Sequence, residues 1–322
     1  MTFYLLGELS GGLGLRKVVS IVADNIKRIE IQGARNVAIA AIKAIVEGAR
    51  ESKAGGKKAF LKELSDAKEI LFAARATEPL MRNSVRYLIN AVESSEKESV
   101  NDLVSLVSKV SEQFLIGLEN SKEKIAEVGS RRVFHHSRIL THCHSSTVSG
   151  ILRKAKLDGK TFEVVCTESR PIFQGRITAK EMLDSGIKTT MIVDSAVRHF
   201  INEVDLVLVG ADAITSEGNV INKIGTSMVA LAAREARTPF YVVSDLLKFD
   251  PLTMHGDYEK LEERNPKEVW DAPPSGLIIR NPAFDVTRRE FIHGIICEDG
   301  IISPHSINEL IHRKHPWILD VY

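Results

Sequence analysis

Cysteine is scarce in this chain. Cys143, Cys166 and Cys297 are the 3 present in 322 residues. No two are spaced as CxxC, so a disulfide scaffold is excluded and a reduced, intracellular compartment is expected. Excess charge is missing as well: 43 Lys and Arg face 42 Asp and Glu, a formal net charge of +1. A chain devoted to nucleic acid would carry a large basic excess, so no direct nucleic-acid partner is expected. Long apolar runs are absent too. None approaches the roughly 20 residues of a membrane helix, and the N-terminal patch MTFYLL has no basic segment ahead of it, as a signal peptide would. A cytoplasmic protein without a membrane partner is the expectation. What remains is ordinary globular composition, 44% hydrophobic and 26% charged, long enough for two domains with a core each.

The first 130 residues carry only helical periodicity. Leu103, Val107, Val110, Phe114 and Leu118 recur at spacings of three and four, as do Ala38, Ala41, Ile42, Ile45 and Ala49 in a helix opened by Gly33. Ser52 to Lys58, with Gly55 and Gly56, separates that helix from one bearing Phe60, Leu64, Ala67 and Leu71. The spacing predicts a helical N-terminal domain over 1–130. From 131 to 322 short β-branched runs alternate with helical stretches. The runs are Ile139–Leu140, Phe162–Val165, Met191–Val193, Val204–Val209, Phe240–Val243, Leu277–Ile279 and Ile292–Ile296. Strand, crossover and strand repeated in this way predict a Rossmann-like parallel sheet covered on both faces by helices. Ligands of such sheets sit at the carboxyl ends of the strands, near the point where strand order reverses.

The residues after the strands are therefore the informative ones. Thr141-His142-Cys143-His144 follows the first run, and Ser145, Ser146 and Thr147 then open a helix. Hydroxyls and free N–H groups at a helix start form an anion cradle, though capping serines are common for purely structural reasons. Cys143 stands where the helix start would favour its thiolate; a small core residue is the plainer alternative. His142 and His144 flank Cys143, which suggests a metal, but adjacent residues on a strand point to opposite faces, so a structural or hydrogen-bonding role is expected of them before a metal. After the second run, Arg170 either grips a phosphate or joins Glu168 in a surface network. After the third, Asp194 is expected to cap the helix bearing Arg198 and His199. After the fourth stands Asp212, a carboxylate at the end of an apolar strand, and then Asn222-Lys223 at the expected start of a helix. A Cys, an Asp and a Lys at three strand ends of one sheet point to chemistry more strongly than any one of them.

THCHS, ESRPIFQGR, VGADAI, NVINKIGT and NPAFDVT, in this order, resemble motifs of a superfamily with three groups. These are the regulatory subunits of translation initiation factor 2B, methylthioribose-1-phosphate isomerases, and archaeal ribose-1,5-bisphosphate isomerases. The resemblance runs from about Ile29 to the C-terminus. The initiation-factor subunits replace the cysteine of the first motif and carry Glu in place of Asp212, and methylthioribose-phosphate isomerases have Asn after that cysteine. With Cys143-His144-Ser145 and Asp212 intact, the chain is most similar to the ribose-1,5-bisphosphate isomerases.

That resemblance implies an aldose–ketose isomerase acting on a sugar bisphosphate without metal or organic cofactor. Asp212 would protonate the ring oxygen and Cys143 would take the C2 proton. It assigns substrate contacts to Gln32, Gly33, Ala34, Arg35, Arg75, Ser145, Ser146, Thr147, Asn222, Lys223 and Lys248, with Arg75 reaching in from the helical domain. It also implies a place in nucleotide salvage, AMP as an activator, and a homodimer or homohexamer. One departure stands out. The group carries Arg-Gly-Ala-Gly near the N-terminus, where this chain has Gln32-Gly33-Ala34-Arg35. Either Arg35 supplies a displaced guanidinium or the phosphate grip is weaker.

Overall fold

The computed structural model describes residues 14–75, 77–255 and 261–320; the N-terminal apolar patch lies outside them. The chain forms two compact units, Met1–Glu119 and Asn120–Tyr322. Among its described residues the first unit is wholly helical, with α1 (Leu15–Lys27), α2 (Ala34–Arg50), α3 (Lys57–Ala74), α4 (Pro79–Glu93) and the first part of α5 (Val100–Ser130). Each helix buries the stripe that its apolar spacing marks out. In α2 that stripe is Val37, Ala38, Ala41, Ile42 and Ile45; in α3 it is Phe60, Leu64, Ala67 and Leu71. The change in sequence character near 130 coincides with the end of α5, whereas the units divide inside that helix. Its last turns belong with the second unit because Ile125 packs in the same core as Ile151 and Leu152.

The second unit runs β1 (Arg138–Thr141), α6 (Ser146–Leu157), β2 (Glu163–Thr167), α7 (Gly175–Asp184), β3 (Lys188–Ile192), α8 (Val197–Phe200), β4 (Leu206–Val209), β5 (Ala213–Thr215), β6 (Val220–Lys223), α9 (Thr226–Ala236), β7 (Phe240–Val243), β8 (Phe249–Asp250), β9 (Phe284–Thr287), β10 (Gly294–Cys297), β11 (Gly300–Ile302) and α10 (Ile307–Lys314). Seven strands form one sheet in the order β11-β10-β7-β4-β1-β2-β3. Its pairs are parallel except β10 with β11. Alternate residues feed two cores, one on each face. Leu140, Val165, Val207, Val209 and Val242 join α9 and α10 on one face. Ile139, Val164, Leu206, Leu208 and Val243 join α6 and α7 on the other. The period-two alternation of apolar side chains in a sheet buried on both faces accounts for the near-continuous apolar runs.

Strand order reverses between β1 and β4, which pair through Ile139 with Leu206 and Leu140 with Val207. A second sheet, β8-β5-β6-β9, is inserted after β4, and its short strands carry no long apolar run that would announce them. Leu277–Ile279, expected to be a strand, is instead a surface loop with Ile278 84% exposed. Its apolar residues have no strand beside them to pair with. Among the described residues no helix is long and apolar enough to cross a membrane.

Candidate active site

The two strands that flank the reversal deliver Cys143 and Asp212 from their carboxyl ends, as a doubly wound sheet requires of a ligand site. Cys143 is buried and holds a φ of 67°. That left-handed conformation costs a non-glycine residue about 1–2 kcal/mol, so surrounding bonds must hold it. They do. The Cys143 N–H donates to Ser169 Oγ at 2.8 Å, and its carbonyl accepts from Thr178 Oγ1 at 3.0 Å. The thiol itself points to Gln174 Oε1 at 3.4 Å.

Burial pushes the Cys143 thiol up to about 11. The Lys223 ammonium and the His144 amide pull in the other direction, and the charges of Asp212 and Asp194 add to the rise. The expectation that the helix start favours the thiolate therefore fails for the free protein. Desolvation is the larger effect, and α6 begins only at Ser146. Asp212 follows β4, is half-buried, and is positioned by its N–H on the Ile221 carbonyl at 2.9 Å.

Cationic and donor groups surround this pair. Lys223 is buried, its Nζ 5.7 Å from the centre of the Phe284 ring, and it forms no ion pair with a carboxylate among the described residues. It closes β6 and does not open a helix as its sequence context suggested, because the inserted sheet carries the chain one strand further before α9. Asn222 beside it donates to Thr226 Oγ1 at 3.0 Å. Lys248 is buried and donates to the Ala211 carbonyl at 2.5 Å, so it braces the residue before Asp212. Ser145 caps α6, accepting from the Val148 N–H, and meets Thr147 Oγ1 at 2.9 Å; Ser146 is exposed at the helix start. Gly210 passes so close that a Cβ there would lie 2.8 Å from Ser145 Oγ.

The second unit thus gathers Cys143, Ser145, Thr147, Asp212, Asn222, Lys223 and Lys248 at adjoining strand ends. The other expected contacts lie in the first unit. Gln32 and Gly33 are exposed ahead of α2, and Ala34 is its first residue. Arg35 is committed within that unit, donating to the Leu118 carbonyl and to Glu119 Oε2, each at 2.8 Å. Arg75 Nε stands 3.2 Å from Oε1 of the buried Glu78. Two further expectations are corrected. Asp194 does not cap its own helix; its two carboxylate oxygens accept the N–H groups of Ser169 and Arg170 at 2.8 and 2.7 Å. Arg170 is turned to the Val269 carbonyl at 3.0 Å and over the Phe173 ring. It forms no ion pair with Glu168 among the described residues, and the surface network expected with that residue is not made.

Gln174, Ser169 and Thr178 escaped the sequence reading. They contact Cys143 from the turn after β2 and from α7, and their one sequence signal is their place in and beside ESRPIFQGR. Both histidines have ordinary partners. His142 lies between Thr167 Oγ1 and the Ile224 carbonyl, at 2.7 and 2.8 Å, and His144 Nδ1 meets Thr178 Oγ1 at 3.2 Å.

Fold and cluster together define a doubly wound α/β domain with a polar site at its switch point, the class that binds small anionic ligands against helix starts. A family model described as the initiation factor 2 subunit family matches residues 30–304. The chain belongs to that family. Ribose 1,5-bisphosphate isomerase of Archaeoglobus fulgidus is 42% identical over 296 residues, spanning 91% of this chain and 92% of the relative. Among solved structures, translation initiation factor eIF-2B from Pyrococcus horikoshii OT3 superposes with a TM-score of 0.78 at 31% identity, covering 89% of this chain and 97% of that one. The 5-methylthioribose 1-phosphate isomerase of the same organism gives a TM-score of 0.75 at 28% identity, covering 94% and 88%.

Proposed function

We propose that the chain is an aldose–ketose isomerase that converts α-D-ribose 1,5-bisphosphate to D-ribulose 1,5-bisphosphate at Cys143 and Asp212. The observation that carries the reading is Cys143, held left-handed at the end of β1 within the field of Asp212 and Lys223. The 42% identity to a ribose 1,5-bisphosphate isomerase along nearly the whole chain supports the same substrate.

The 1-phosphate locks the sugar in its ring. Opening breaks the bond between C1 and the ring oxygen, and the ring oxygen needs a proton, which Asp212 supplies. Cys143 as thiolate removes the C2 proton, leaving a C1=C2 enol. That enol is protonated at C1 while its C2 hydroxyl loses a proton, and the ketose results. In the free protein burial keeps the proton on the thiol, and the proposed cycle begins with a shift of that proton off Cys143. Lys223 favours the shift because it stabilises the thiolate.

Two phosphates call for two cationic ends. Lys223, with the hydroxyls of Ser145, Ser146 and Thr147 and the amide of Asn222, serves one of them. Lys248, bound to Ala211, acts by holding the Asp212 turn. Gln32, Gly33, Ala34 and Arg75 remain proposed contacts from the helical unit, whereas Arg35 is engaged by Leu118 and Glu119. The reading extends to nucleotide salvage in the cytoplasm, activation by AMP, and a homodimer or homohexamer.

The likeness to a structure titled translation initiation factor eIF-2B, with its TM-score of 0.78, favours one second reading: a regulatory protein that binds a sugar phosphate without turning it over. Incubation with ribose 1,5-bisphosphate and, separately, methylthioribose 1-phosphate, with and without AMP, separates the cases by NMR. Ketose from the bisphosphate, faster with AMP, is expected. Ketose from methylthioribose 1-phosphate alone reassigns the substrate, and binding of either without ketose favours the regulatory protein.

A further inference from the structure

His142 is the residue the proposed chemistry leaves unused, although it stands between its two main parts. It precedes Cys143 on one loop, and its ring reaches the Ile224 carbonyl, next to Lys223, on another. A carbonyl can only accept, so Nε2 carries the hydrogen in the 2.8 Å bond to Ile224. In the neutral ring Nδ1 must then accept, and the Thr167 hydroxyl donates to it at 2.7 Å. With its hydrogen committed, Thr167 Oγ1 accepts from Ser169 Oγ at 3.2 Å, and Ser169 Oγ accepts from the Cys143 N–H at 2.8 Å. One tautomer therefore sets the direction of every bond around the circuit. His142, Thr167 and Ser169 are all buried, so water cannot substitute for a missing member without first gaining entry.

The surroundings keep the ring neutral. Three charged groups act on it, Asp194 at 4.0 Å, Asp285 and Lys223, yet burial outweighs both carboxylates and lowers the imidazole below its ordinary value. Asp194 is satisfied by the Ser169 and Arg170 amides, and Asp285 by Ser227 and the Gly225 N–H. Gly225 adopts a φ of 101°, and a Cβ there would stand 3.1 Å from both Cε1 and Nε2 of His142. The turn after Lys223 is thus shaped to receive the ring.

We propose that His142 is a positioning residue that, as the Nε2–H tautomer, ties the Cys143 loop to the Lys223 loop and thereby sets where the thiol stands relative to the ammonium. The role of the thiol as base belongs to the preceding proposal; the tie is measurable without substrate.

The test compares His142→Gln, whose amide can still donate to Ile224, with His142→Asn, which is too short to reach it. Alkylation of Cys143 by iodoacetamide is followed across pH in the folded, ligand-free protein by peptide mass spectrometry. The asparagine variant should need about one pH unit more for the same rate, a tenfold loss of thiolate, and kcat should fall about as far with KM little changed. The glutamine variant should stay within about threefold of the native protein in both. Equal behaviour of the two variants overturns the proposal. Because either variant can lose its fold, the native protein is also examined: side-chain ¹⁵N NMR of His142 should report a neutral ring protonated at Nε2 from pH 6 to 8. A ring that is charged or protonated at Nδ1 overturns it as well. If instead Cys143→Ser still turns over substrate, the base assignment falls while the alkylation result stands.

Discussion

Cys143 spends conformational energy to sit where it does, and the bonds from Ser169 and Thr178 hold it there. Substituting serine keeps the shape and removes the base, since a hydroxyl is far weaker than a thiolate. Cys143→Ser should lose turnover by at least a thousandfold while binding the substrate within about tenfold, or about 1.4 kcal/mol, by calorimetry. The other residue-scale question lies at Gln32-Gly33-Ala34-Arg35, where the sequence departs from the motif that its resemblance implies. Arg35 is already held by Leu118 and Glu119, so Arg35→Ala should lower stability by about 1–2 kcal/mol in urea titration and leave KM nearly unchanged. Gln32 is exposed with its amide on the Ile29 carbonyl. Gln32→Arg should lower KM about tenfold, the strength of a charge-assisted bond to phosphate, and added salt should erode the gain. A large rise in KM for Arg35→Ala would show that Arg35 grips the phosphate.

At the scale of elements, the site depends on how closely β1 and β4 end beside one another. Gly210 follows β4 with no room for a side chain against Ser145. Gly210→Ala should push the α6 start away and raise KM for the bisphosphate at least tenfold, without unfolding the protein. An unchanged KM would mean that Ser145 gives way freely or does not touch substrate. This element scale is also where the sequence was most and least legible. The helices of the first unit and the buried strands β1, β2, β4 and β7 show in periodicity, because burial of both sheet faces leaves long apolar runs. The inserted sheet does not, since polar residues such as Asn222, Lys223, Asp250 and Asp285 break up β6, β8 and β9 and β5 is only three residues long, and so the sequence context of Lys223 suggests a helix start. Leu277–Ile279 misled for the opposite reason: an apolar triplet records hydrophobicity and says nothing of a pairing partner. Cys143 and Asp212 were readable from their positions after strands. Gln174, Ser169 and Thr178 were not, because hydrogen bonds across loops leave no spacing pattern.

For the whole molecule, buried titratable groups outside the site shape stability against pH. Burial, reinforced by the charge of Asp245, raises Glu298 from an ordinary 4.5 to about 8. Between those values the folded chain keeps a proton that the unfolded chain releases, so its contribution is complete below 4.5 and is lost as pH rises through about 8. His315, lowered by burial, works in the other direction below its ordinary value, so a variant is needed to isolate the carboxyl. Glu298→Gln keeps an acceptor for the Leu246 N–H and should gain stability relative to the native chain as pH rises from 5 to 8. A constant difference across that range would remove Glu298 as the source.

The central claim is that proton removal from C2 by Cys143 makes this chain an isomerase, and one rate measurement addresses it. Ribose 1,5-bisphosphate deuterated at C2 is compared with the ordinary substrate in single turnovers of the native protein and of Cys143→Ser. The account predicts ribulose 1,5-bisphosphate from the native protein, formed several-fold more slowly from the deuterated sugar, and none from the variant on the same timescale. Ketose formed by the variant at the native rate, or no ketose from the native protein, would contradict it.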